Sequence, residues 1–124
     1  MISSPGWLLP AFIANIVILL PVCLAMFSPA GTARIFDDLV PPSDGLHLLV
    51  AALWTSILVL SVVGLARPAF CAPILLAQII YKSLWLATYI APLAVRGEAF
   101  PRGITRVFAA IVVSYPVLFW LAIR

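Results

Sequence analysis

Residues 74–92, ILLAQIIYKSLWLATYIAP, are apolar enough to cross a bilayer yet carry Gln78, Lys82, Trp85 and Tyr89. At 100° per residue those four positions fall within about 60° of one another on a helical wheel. They form one polar and aromatic stripe on an otherwise apolar rod. Lys82 is the single lysine of the chain, and no Asp or Glu lies inside any expected span to pair with it. An ammonium at that depth is costly and faces a bundle interior, a water-lined crevice or a partner. Counted from Ala69, Lys82 sits about 2 Å beyond the middle of its span. The nearer membrane interface is then roughly 13 Å away, further than a lysine stem of about 6 Å reaches.

The rest of the composition agrees with a membrane protein. Of 124 residues, 65% are hydrophobic and 9% charged, with a mean hydropathy of +1.24. Soluble domains are roughly 45–50% apolar and about 25% charged, so this chain cannot cover a water-facing surface with polar groups. The net charge of +3 comes from residues at expected helix ends and sets orientation rather than nucleic-acid binding. Two cysteines, Cys23 and Cys71, provide neither a CxxC pair nor a metal-ligand set. Lying at opposite ends of a sequential bundle, they are too far apart for a disulfide, which needs Cα atoms within about 7 Å.

Crossing about 30 Å of hydrocarbon takes about 20 helical residues. Four segments have that length: Trp7 to Phe27, Leu46 to Ala66, Ala69 to Pro92, and Ile104 to Ile123. The first is read as a helix rather than a signal peptide, because no Lys or Arg precedes it and the run is too long. Its Pro10 and Pro21 free backbone carbonyls and invite kinks. Residues 28–45, SPAGTARIFDDLVPPSDG, form the one long connection. There Ile35, Phe36, Leu39 and Val40 oppose Arg34, Asp37 and Asp38, a pattern for a short interfacial amphipathic helix closed by Pro41-Pro42. Asp44 is placed to cap the second span. Ala52 and Ser56 offer that span a small-residue packing face. Arg67-Pro68 is so tight a link that spans two and three must form an antiparallel hairpin. Arg106, Ala110 and Ser114 recur at four-residue steps in the fourth span.

The fold expected is all-α: a single domain, 1–124, forming an up-down-up-down four-helix membrane bundle with a short interfacial helix in its first loop. Arg34, Arg96, Arg102 and Arg106 share the side of the first and third loops, against Arg67 and Arg124 on the other. The positive-inside rule then puts both termini outside the cytoplasm and the first and third loops within it. Asp37, Asp38 and Asp44 share a side with those arginines and are expected to form a salt-bridged cap; the arginines argue against a divalent-cation site there.

Functionally, the stripe stands out. Lys82 is the candidate counter-charge for an anion or for a partner subunit's acid. Gln78, Trp85, Tyr89 and the neighbouring Tyr81 are candidate lining for a flat or lipid-like ligand. The structural alternative is helix packing plus interfacial aromatics. His47, the one histidine, cannot build a zinc or bis-His haem site by itself, and is read as an interfacial histidine near Asp44. No phosphate loop, nucleophile elbow, HExxH or paired-carboxylate spacing is present, so neither a cofactor nor a metal is expected, and catalysis is not the leading expectation. Two functions remain. The first is a non-catalytic accessory or assembly subunit of a larger membrane complex. The second is an oligomeric carrier, channel or binding protein for a small or lipid-like anion. The expected partners are bilayer lipid together with other membrane subunits or further copies of the chain.

Overall fold

The computed structural model describes residues 2–39 and 44–124, without the side chain of Asp44. The capping role of Asp44, the Pro41-Pro42 stop and Val40 therefore lie outside the described residues. A 3₁₀ turn, Pro5–Leu8, leads into α1, Leu9–Met26. A short helix α2, Pro29–Ile35, is followed by α3, Asp44–Ala66. Helix α4, Pro68–Trp85, runs through a π-helical turn, Leu86–Ile90, into α5, Ala91–Val95. Helix α6, Arg102–Ile123, closes the bundle. Four apolar stretches are long enough to cross a membrane: Pro5–Met26, Gly45–Ala66, Pro68–Val95 and Arg102–Ile123. This is an integral-membrane bundle of four spans, all α-helical.

Proline chemistry sets several of these boundaries. Pro5, Pro29 and Pro68 open their helices, where the missing N–H would have had no helical partner, while Pro10 and Pro92 stand at the second position of α1 and α5, just after the 3₁₀ turn and the π-helical turn that those helices continue. Pro21, Pro73 and Pro116 instead lie inside α1, α4 and α6. Each removes one backbone donor from its helix, which is tolerated in spans whose neighbours can satisfy the freed carbonyl.

The short helix of the first connection starts earlier than the Ile35–Val40 periodicity suggests. Ser28 caps it, its Oγ accepting from the Gly31 amide at 3.1 Å, and Pro29 fixes its first φ. Thr32 Oγ1 donates back to the Met26 and Ser28 carbonyls. Asp37 and Asp38 then take positive φ values of 55° and 58°, so the helix has ended before the acidic pair. The Asp37 carboxylate accepts from the backbone N–H of Arg102 at 3.2 Å, at the start of α6. The two loops are thus joined by a carboxylate on a helix N-terminus, where unpaired amides and the helix dipole favour an anion. The expected salt-bridged cap is not what joins them: among the described residues the ion pair is Arg96–Glu98, exposed and within one loop. At the other end Ser4 N–H donates to the Ala122 carbonyl at 2.8 Å, tying the first turn of the chain to the last.

Two clusters form the interior. One, nearer the termini, gathers Leu8, Phe12, Cys71, Leu75, Ile111 and Tyr115; the other, nearer the first loop, gathers Leu19, Cys23, Met26, Trp54, Ile104 and Phe108. The cysteines are buried, free and in different clusters. Phe70, Leu24 and Val113 point outward and are largely exposed, a surface suited to acyl chains rather than water. Ala52 and Ser56 also face outward, so they are not the packing face of α3. That role falls to Ala51, Ser61 and Gly64 on the opposite side. A Cβ built at Gly64 would stand 2.6 Å from the ring of Phe12, and Phe12 is 0% exposed, so the ring has nowhere to go. Between helices in lipid, close backbone approach is a main source of attraction. Gly64→Leu is therefore expected to cost about 1–3 kcal/mol through overpacking, measured as a lowered midpoint in detergent-titrated unfolding followed by circular dichroism, while Gly45→Leu, which meets open space, leaves the midpoint unmoved.

Candidate functional site

Lys82 falls at the middle of the Pro68–Val95 span, about 20 Å of helix from Val95. It is 2% exposed, and Gln78 one turn earlier is 0% exposed. The Lys82 Nζ donates to Gln78 Oε1 at 2.7 Å. The ammonium also lies 4.9 Å from the ring centroid of Phe108 and 5.1 Å from that of Tyr81, within cation–π range. An ammonium has three N–H groups, and a single neutral amide oxygen receives one of them among the described residues. Lys82 is also one of the residues that line a cavity of about 330 Å³.

That cavity is built by five elements. Asn15, Ile18, Leu19 and Val22 of α1 form one wall, and Ile104, Val107, Phe108 and Ile111 of α6 the facing one. Trp54 of α3 and Lys82 of α4 close the sides. Arg34, Asp37 and Gly103 stand at the first-loop end, where all three are exposed. The cavity is thus a shaft that opens at the first loop and ends near mid-membrane at Lys82 and Asn15. Its walls are mainly aliphatic, and its charged groups sit at its two ends.

The two ends differ in how far their polar groups are already used. Asn15 Nδ2 donates to Ser61 Oγ at 2.9 Å, and Ser61 Oγ in turn donates to the Ile57 carbonyl at 2.7 Å. The Tyr115 hydroxyl reaches both the Ala11 carbonyl, at 3.0 Å, and Asn15 Oδ1. Asn15 is therefore committed to a network that joins α1, α3 and α6 beneath the floor. At the mouth, Asp37 is committed to the Arg102 amide. Lys82 and Arg34 are the cations left facing the shaft, and neither has an acid partner among the described residues.

The other stripe residues lie elsewhere. Trp85 and Tyr81 line a second, aromatic cavity of about 440 Å³ with Phe36, Val50, Ile57 and Ile74. Trp54 and Phe108 form the wall between the two cavities, their rings edge to face at 6.1 Å. Trp85 stacks on Tyr89 with centroids 5.5 Å apart. The π-helical turn begins at Leu86, so the 100° step that aligned Tyr89 with Lys82 no longer holds there. Tyr81 Oη and Gln78 Nε2 are buried without a hydrogen-bond partner among the described residues. His47 is buried in the first turn of α3. No three His, Cys, Asp or Glu side chains converge among the described residues.

Two contributors to the site, Ser61 and Arg34, are not evident from the sequence pattern alone. Phe108 belongs to a readable stripe, Ile104, Phe108, Ile111 and Tyr115, the buried face of α6; the Arg106, Ala110, Ser114 series is its exposed opposite. Ser61 has no signal that separates it from Ser56. Arg34 reaches the shaft only because α2 packs against α1 and Asp37 ties the loop to the start of α6. The floor network is a packing device, so Tyr115→Phe is expected to cost about 1 kcal/mol. Steric-trapping measurements of unfolding in bicelles check this, and an unchanged stability would show that the network carries none.

Compared with known proteins, the chain matches no family model, no curated protein and no solved structure.

Proposed function

We propose that this membrane protein binds a small or lipid-like anion inside its bundle, with Lys82 as the counter-charge. The observation that carries the reading is an ammonium held at mid-span, facing a cavity, with one neutral partner. A buried charge is tolerated when paired and hydrogen-bonded, and a negative ligand supplies what Gln78 alone does not. Arg34 and Asp37 stand together at the mouth and offset each other in charge, so the counter-charge of the site is Lys82 alone. With the orientation favoured by the positive-inside rule, the mouth faces the cytoplasm. The chain then acts as a binding protein or as the binding half-cycle of a carrier.

The same geometry weakens a different use of Lys82. A partner subunit's acid would have to enter the shaft to meet it. An accessory or assembly role rests instead on the outward face of α6, where Ala110 and Ser114 are exposed and small residues favour helix–helix contact in lipid.

A Lys82→Met variant separates the two. With purified protein in nonionic detergent and a panel of bromide, inorganic phosphate, acetate and hexanoate, the substitution is expected to weaken binding of the preferred anion about 10- to 100-fold. Its elution on gel filtration stays that of the wild type. Equal affinity in both proteins overturns the reading. Loss of a co-purifying polypeptide, with anion binding intact, transfers the function to the subunit role.

A further inference from the structure

We infer that the ligand is a single-chain alkyl carboxylate that enters the shaft head first; this rests on the anion reading above. The argument comes from the order of chemistries along the cavity. At the floor stand Lys82, hydrogen-bonded to Gln78 alone, and Asn15, already bonded on both sides. Above them the walls are Ile18, Leu19, Val22, Val107 and Ile111. From Asn15 to Val22 the shaft rises about 10 Å along α1. Arg34 and Asp37 then stand at the opening.

Each part excludes something. An alkyl tail laid against the floor would leave the ammonium with Gln78 alone and add nothing to its solvation, so the charged end goes down. A hydrated inorganic ion would shed its water against aliphatic walls that return no hydrogen bonds, a large cost for an unpartnered charge. An alkyl chain gains from those same walls by leaving water. The volume, about 330 Å³, lies at the small end of the roughly 300–1,000 Å³ of ligand pockets, which suits one chain rather than a two-chain lipid. A carboxylate is planar and accepts through two oxygens, so it can take the Lys82 N–H groups that Gln78 leaves unused. Arg34 and Asp37, of opposite charge, border the end of the tail at the mouth.

The test is a homologous series, acetate, butyrate, hexanoate, octanoate and decanoate, titrated calorimetrically into the detergent-solubilised full chain, with empty micelles subtracted. Affinity is expected to rise about fourfold per added methylene, the gain from burying one CH₂, and to level off once the tail reaches Arg34. Val107→Phe, which narrows the shaft, is expected to move that plateau to a shorter acid. If this variant does not fold, the wild-type series decides by itself. Acetate binding as tightly as octanoate, with both lost in Lys82→Met, overturns the head-first alkyl assignment and leaves the anion reading standing. A series that is the same in Lys82→Met as in the wild type overturns both. In nanodiscs, displacement of octanoate by phosphatidylglycerol but not by phosphatidylcholine assigns the floor to a lipid headgroup and overturns the single-chain carboxylate.

Discussion

The structure depends on how one positive charge is housed in a bilayer that offers it nothing. Lys82 is the chain's single lysine, and no acidic residue lies within a span. Lipid cannot solvate it, and its stem is too short to reach either interface from mid-span. The bundle therefore wraps it: Gln78 accepts one N–H, two aromatic faces flank it, and a cavity is left on its open side. A lysine with a purely structural role is better served by an acid on a neighbouring helix or by closely packed carbonyls. Here the neighbouring helices present aliphatic and aromatic side chains and a shaft, an arrangement that leaves part of the charge for something else.

The remaining polar groups of the interior behave differently, and the contrast gives the cavity its meaning. Asn15, Ser61 and Tyr115 satisfy one another or backbone carbonyls. They hold three helices together in a medium where hydrophobic association is absent and hydrogen bonds and close packing take its place. Gly64 against Phe12 supplies the close packing between α1 and α3. Asp37 on the first amide of α6 fixes the first loop over the bundle, which sets Arg34 at the mouth. A structural network below, a docked loop above and an ammonium with one neutral hydrogen-bond partner between them make a site from parts that individually do ordinary jobs.

Span number, span length and the Lys82 stripe are legible in the sequence because a bilayer imposes length and hydropathy with few exceptions. Less legible is anything decided by phase between helices. Ser56 and Ser61 are equivalent on paper, and only packing turns one to lipid and the other to Asn15. The π-helical turn after Trp85 rotates Tyr89 off the wheel position that a regular helix assigns, and no residue there announces it. The start of α2 was readable: Ser28 followed by Pro29 is an N-cap and first-turn signature. The periodicity of Ile35, Phe36, Leu39 and Val40 competes with it and is overruled by the positive φ of Asp37 and Asp38. Cavities are hardest to foresee, since they depend on where side chains fail to meet.

Because Lys82 is unique, its charge can be watched directly. Protein labelled with ¹⁵N-lysine gives one side-chain Nζ resonance in bicelles, without assignment by mutagenesis. Our account predicts that this resonance shifts saturably when octanoate is added and stays fixed when octanol of the same chain length is added at the same concentration. A resonance that ignores the carboxylate, or that responds equally to the alcohol, would contradict the claim that the buried ammonium is an anion's counter-charge.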